Sequence, residues 1–252
     1  MSSMKNVIPV ILLAFLISSG SSVFAQVKAD TLKVLFVGNS YTYYGNLAQV
    51  ISIISDNTKT KLITKKSTLG GAKLSEHWRG ERGLTTKEMI KSGKYDIVVL
   101  QDYSLGPVEA PDSVKKYMGL FCKLIRQTGA KPYLYLTWAR VKSPQTQEVI
   151  NKVYTETGIE NEAVVVPAGK AWTLARAIQP DINLYDTDGS HPSKIGTFLT
   201  ACVFIESITR EIPEKMPTNY VTNDVDGESV VLMKIDKDDV EFCRKVAKQI
   251  VN

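Results

Sequence analysis

The chain has 252 residues, of which 44% are hydrophobic and 23% charged, an ordinary globular composition able to fill one large or two small cores. Its net charge of +5 is spread without a basic block. The densest basic run, TKTKLITKKS, mixes Lys59, Lys61, Lys65 and Lys66 with Thr and Ile and reads as a solvated face, not a nucleic-acid surface. Two histidines and three cysteines are too few for a zinc site.

Residues 1–25 read as a secretory signal peptide. Lys5 supplies the positive start, Val7 to Ile17 is an apolar run too short to span a bilayer comfortably, and Val23-Phe24-Ala25 places small groups where a signal peptidase cuts. Cleavage is expected before Gln26. No cysteine lies near that point to carry a lipid anchor, so an exported protein, periplasmic or extracellular, with no stable membrane insertion is expected.

From Gln26 to Asn252 one domain is expected. Strands are predicted at 33–37, 61–66, 95–100, 132–138 and 163–166, each followed by a loop and, in most cases, an amphipathic segment. Leu47, Val50, Ile51 and Ile54 share one face of a helix over 46–55. A short helix follows at 84–92. Over 112–128, Val114, Tyr117, Met118, Phe121 and Ile125 recur at helical spacing, with Asp112 placed to cap the start and Gly129 to end it. Further helices are predicted at 143–158, 170–177 and 193–209. Residues 213–252 read as an extension packed on the domain: a hairpin with DVDGES as its turn, then a helix from Asp238. Strands alternating with helices predict an α/β fold, a three-layer α/β/α sandwich around a five-stranded parallel sheet. Cys122, Cys202 and Cys243 are far apart, and Cys122 and Cys202 lie in apolar helical patterns; buried free thiols are expected, with one bridge among the three the alternative.

In open parallel sheets the site lies at the carboxyl ends of the strands. The first strand ends in VLFVGNSYTYYGNL, and Ser40 falls at that end. Gly38 and Asn39 suit a turn, which leaves Ser40 to explain. It stands between a strand and a helix, as a nucleophile does at a sharp strand-to-helix turn, although G-N-S alone also simply makes a turn. With two histidines, the search for a base is short. His191 lies in LYDTDGSHPSKIG, and a tight turn through Gly189 and Ser190 folds the Asp188 carboxylate back toward its imidazole. That fragment serves a surface loop and helix cap equally well. Gly70-Gly71 follows the second strand, where a glycine lets a backbone N–H approach a substrate oxygen. Gln101, after the third strand in VVLQDYS, offers a side-chain amide donor for an oxyanion. Tyr41, His77, Trp78, Trp138 and Arg140 lie near the same strand ends and are candidate substrate contacts, with the core as the alternative for Trp138 and Trp172. Tyr43 and Tyr44 also follow the nucleophile.

Taken in order, these strand ends resemble the SGNH-hydrolase superfamily of GDSL-like esterases. Ser40 matches the family's nucleophile, Gly71 its oxyanion glycine, and Asp188 with His191 its final Asp-x-x-His block, over roughly Lys33 to Thr209. Two positions depart from the pattern: G-N-S stands for G-D-S, and the G-x-N-D block is absent after the third strand, where Gln101 is the substitute amide. The resemblance implies a flavodoxin-like three-layer sandwich and a Ser-His-Asp catalytic triad of Ser40, His191 and Asp188. The oxyanion hole would comprise Ser40, Gly71 and Gln101, with neither metal nor cofactor. Export, the aromatics and the family together lead to an acyl esterase acting on a small-molecule or glycan ester, expected to remove acetyl or other short acyl groups from carbohydrate. The alternatives are a lipase or thioesterase of the same fold, and a non-catalytic carbohydrate-binding protein that kept the fold.

Overall fold

The computed structural model describes residues 30–251. The signal-peptide reading of residues 1–25 lies outside them. Five parallel strands form one sheet: β1 (Asp30–Gly38), β2 (Thr60–Thr68), β3 (Ile97–Leu100), β4 (Lys131–Tyr135) and β5 (Val164–Val166), in the order β2-β1-β3-β4-β5. Chain order therefore reverses at β1, whose two neighbours are β2 and β3, and the end of β1 opens on the crevice where such sheets carry their sites.

Strand periodicity separates the two cores. Side chains alternate across a strand, so Val34 and Phe36 of β1 enter one core and Leu35 and Val37 the other. All four are fully buried, as expected for a sheet covered on both faces. The first face carries α2 (Leu47–Ser55), α8 (Ala168–Ile178), α9 (Lys194–Thr209) and α10 (Lys237–Val251); the second carries α3 (Leu74–Arg79), α4 (Thr86–Ser92), α6 (Pro111–Gln127) and α7 (Gln147–Glu160). Two single turns complete the set, α1 (Ser40–Tyr43) and α5 (Gly106–Glu109).

Helix α9 is apolar nearly all round because it has no solvent face: α2, α8 and α10 enclose it against the sheet. Phe204 meets Phe36 and Tyr135 edge-on at centroid distances of 5.3 and 5.0 Å. Residues after α9 form an antiparallel hairpin of β6 (Asn219–Asn223) and β7 (Ser229–Lys234), turning through Gly227 at φ +85°, followed by α10. All three cysteines are buried free thiols. None of the described helices is long and apolar enough to cross a membrane.

Most differences from the predicted elements lie at ends. The fourth strand stops at Tyr135, and the seventh helix begins at Gln147 after a short 3-10 turn. Asp112 is not a cap: Pro111 opens α6 and Asp112 lies in its first turn. Helix α3 has no predicted counterpart. It is six residues long, too short for periodicity to reveal.

Candidate active site

Gly38, Asn39 and Ser40 form the turn out of β1, and each has its own physical reason. A Cβ at Gly38 would fall on the side chains of Gln101 and Thr42, so only glycine fits. The buried Asn39 side chain joins three strand ends: Nδ2 donates to the carbonyls of Ala72 and Asp102 at 3.0 and 3.2 Å, and Oδ1 accepts from Tyr41 N. An aspartate could not donate those two bonds, which accounts for the amide in place of an acid at this position. Ser40 is the first residue of α1, and its hydroxyl donates to His191 Nε2 at 2.8 Å.

His191 is presented by a tight loop. Gly189, at φ +67°, reverses the chain; Gly189 N donates to Asp186 O, and Asp186 N to His191 O. Asp188 Oδ1 accepts from the backbone N–H of both Ser190 and His191, and Oδ2 accepts from His191 Nδ1 at 2.5 Å. Burial alone would raise the Asp188 pKa, but the bonds from the His191 ring and the two amides outweigh it and hold it down at about 2. Asp188 is thus an anion that fixes the ring with Nε2 facing Ser40. The backbone N–H groups of Ser40 and Gly71 have no protein acceptor among the described residues. Gly71 is exposed, at φ +67°, and lines a cleft of about 780 Å³ with Lys73, Asp102 and Tyr103.

Five of the predicted site residues have other positions. Gln101 is fully buried beneath the Ser40 turn; its Oε1 accepts from Asn39 N and Thr42 Oγ1 at 3.0 and 2.8 Å, and its Nε2 donates to Asp102 O. The amide is spent on the turn, because the space that Gly38 leaves open draws it under β1, so it is not an oxyanion donor. Gln101→Ala is expected to strand the Asn39 N–H and the Thr42 hydroxyl, at about 1–3 kcal/mol for each buried group left unsatisfied, and to lower the urea midpoint before any effect on catalysis is read. A variant as stable as the wild type would overturn this assignment.

His77 is also structural. Its ring is shut in, with Nε2 on Gly38 O at 2.9 Å and Nδ1 on Thr86 Oγ1 at 2.7 Å, and burial pushes its pKa down. A neutral ring that donates to the carbonyl and accepts from the hydroxyl satisfies both contacts. Trp78 packs edge-on against Phe121 of α6, under the Lys87 ammonium, as part of the second core. Trp138 is 1% exposed, stacked between Tyr41 at 4.8 Å and Trp172 at 3.7 Å, with Nε1 donating to Ser190 O at 3.0 Å.

Tyr41 is buried rather than presented to a ligand; its hydroxyl meets Ser190 Oγ at 2.8 Å. Each partner neighbours a member of the Ser40–His191 pair in sequence, so this bond ties the two together. Arg140 alone of the predicted contacts is a half-buried polar group at the site, donating from Nη2 to Ser104 Oγ at 2.9 Å. Tyr44, one of the tyrosines that follow the nucleophile, is at the site. It stacks on the His191 ring at 4.6 Å and donates its hydroxyl to Asp186 Oδ2 at 3.0 Å, closing the His191 loop from outside. The run of tyrosines after Ser40 was the available signal.

Asp102 follows Gln101 just beyond β3 and lines the cleft beside Gly71. Its carboxyl is buried, with Oδ1 accepting from the N–H groups of Leu74 and Tyr103. Burial raises its pKa from 3.8 to about 6 against the pull of those two bonds. Between these values the folded protein holds a proton that the unfolded chain has released, so this group's contribution falls as pH rises through that window. The cost stays above it, at roughly 3 kcal/mol for a shift of about two units. Asp102→Asn keeps the Oδ1 acceptor and removes the charge. Its stability relative to wild type, from urea unfolding, is expected to grow between about pH 4 and about pH 8. An advantage that does not change with pH would show that Asp102 is not the buried titrating group.

No protein-family model matches the sequence, and no curated protein matches it. Solved structures do match. A DUF4886 family protein from Bacteroides uniformis aligns with a TM-score of 0.70 at 19% identity, over 88% of this chain and 95% of that one. A protein from Slackia heliotrinireducens assigned to the SGNH hydrolases aligns at 0.61 and 22%, over 72% of this chain and all of the other. An acetyl xylan esterase aligns at 0.56 and 17%, over 70% of this chain and all of its own. The chain has the SGNH-hydrolase fold, a five-stranded parallel sheet between two helical layers.

Proposed function

We propose that the protein is an exported serine esterase of the SGNH type that removes acetyl or other short acyl groups from carbohydrate. One observation carries the reading: the unbroken chain from Ser40 Oγ to His191 Nε2 at 2.8 Å and from His191 Nδ1 to Asp188 Oδ2 at 2.5 Å. A protein that only bound sugars would have no use for all three groups in that geometry.

In this reading His191 takes the Ser40 proton as Oγ attacks the ester carbonyl. The N–H groups of Ser40 and Gly71 receive the oxyanion, and the His191 imidazolium, steadied by the Asp188 anion, returns its proton to the departing alcohol. Water then adds to the acyl-enzyme, with His191 as base again, releasing the acid and restoring Ser40. The support for a glycan ester is by likeness: similar folds include an acetyl xylan esterase and an acetyl-xylooligosaccharide esterase from Geobacillus. Labelling with a serine-reactive phosphonate is expected to modify Ser40 alone, and acetate release is expected from acetylated glycans and short-chain aryl esters. A folded protein that neither takes the label nor releases acetate would overturn the reading. Export is tested separately: N-terminal sequencing of the mature protein is expected to begin at Gln26, and a mature chain starting at Met1 would refute it.

A further inference from the structure

Arg140 is a charge without a counter-charge. Arg79 faces Glu81, Arg82 faces Glu76 and Arg244 faces Glu241; Arg126, Arg176 and Arg210 lack a carboxylate but are exposed, whereas Arg140 is half-buried with no carboxylate within 4.0 Å among the described residues. Of its five N–H donors, one goes from Nη2 to Ser104 Oγ and the Tyr41 phenol lies within reach of the guanidinium, whereas Nε is shut away from solvent with no acceptor. A half-buried guanidinium so poorly satisfied costs stability, and nothing in the sheet or helices requires it.

Its position gives the cost a use. The guanidinium lies close enough to Tyr41, next to the nucleophile, that its charge and hydrogen bond oppose the rise that burial imposes on the phenol. The next residue, Val141, donates its N–H to Gly189 O in the His191 loop. Arg140 is therefore held between the two segments that carry Ser40 and His191, with part of its surface open to solvent. Ser104 is buried beside it, its oxygen accepting from Arg140 and its hydroxyl next to the Tyr41 phenol, so it holds the guanidinium in place.

We propose that Arg140, held in place by Ser104, recognises a carboxylate carried by the substrate beside the scissile ester, so that the preferred substrate is an acylated acidic sugar. A single guanidinium matches a single planar anion, and a carboxylate is that shape. A neutral sugar would leave the cation as unsatisfied as it is in the free protein. This rests on the esterase reading for its reaction, but not for its binding step.

The test compares two substrates that differ in one group, methyl acetylglucuronosides and methyl acetylglucosides. The readout is the ratio of their kcat/KM values, which general damage to the protein does not move. The wild type is expected to favour the uronate by about 10-fold or more, the usual worth of a charge-assisted hydrogen bond, and less at high salt. Arg140→Gln is expected to bring the ratio close to one, and Arg140→Lys to leave it intermediate. A wild-type ratio of one or less, or a ratio unchanged in both variants, would show that the guanidinium is structural. Should no ester be cleaved, the esterase reading fails and calorimetry on Ser40→Ala decides the rest: tighter binding of the uronate supports the carboxylate site, and equal binding refutes it.

Discussion

Ser40→Ala is expected to lower kcat/KM on a short-chain acyl ester by about 10⁴-fold or more, and His191→Ala by a similar factor, with the double variant little worse than either. The near-equality follows from the geometry. The hydroxyl and the imidazole share one hydrogen bond of 2.8 Å, and losing either end removes the same proton transfer. Neither change opens a core: Ser40 and His191 are both half-buried, outside the apolar clusters, and circular dichroism should show intact folds. Asp188→Asn is expected to do less harm than either, because Asp188 orients the ring without touching substrate. A folded Ser40→Ala protein with near-wild-type turnover would rule out the mechanism. His77 could not then serve as the base where it stands, since both of its ring nitrogens are occupied in the core.

Trp138→Ala is expected to have the largest effect on stability, about 3–5 kcal/mol, the usual cost of deleting a buried aromatic ring. Trp138 is the middle ring of the Tyr41–Trp138–Trp172 stack, so its removal leaves a gap with an aromatic on each side. The milder Trp138→Phe separates packing from positioning. It keeps a ring in the stack and loses only the indole N–H that holds Ser190 O. We expect kcat to fall while KM changes little, because the loosened loop carries His191 rather than a substrate contact. A Trp138→Phe enzyme with wild-type kcat would mean that the remaining ties, Val141 N to Gly189 O, Tyr185 Oη to Ala139 O and Tyr41 to Ser190, suffice to place the imidazole.

The strand-helix alternation and the two apolar faces of β1 are local properties of the chain, and they were sufficient to predict the sandwich. Period-2 burial in Val34–Val37 and the apolar stripe of α6 follow from which neighbours a side chain can reach along its own element. The Asp188–His191 turn was legible for the same reason: its hydrogen bonds span two and three residues, and Gly189 marks the reversal. Long-range partnership was not legible. Gln101, His77, Trp78 and Trp138 each looked like a site residue by standing near a strand end, but their partners lie far away in sequence, as Gln101 does from Asn39 and Trp138 from Ser190. Which way each side chain turned depended on space set by other elements: the missing Cβ of Gly38, the hydroxyl of Thr86, the face of Phe121. A sequence determines which residues reach the ends of the strands. Only the packed structure decides which of them the core takes for its own hydrogen bonds and which, like Ser40, His191 and Arg140, it leaves at the solvent edge, because a buried polar group turns toward whichever partner the fold brings within reach.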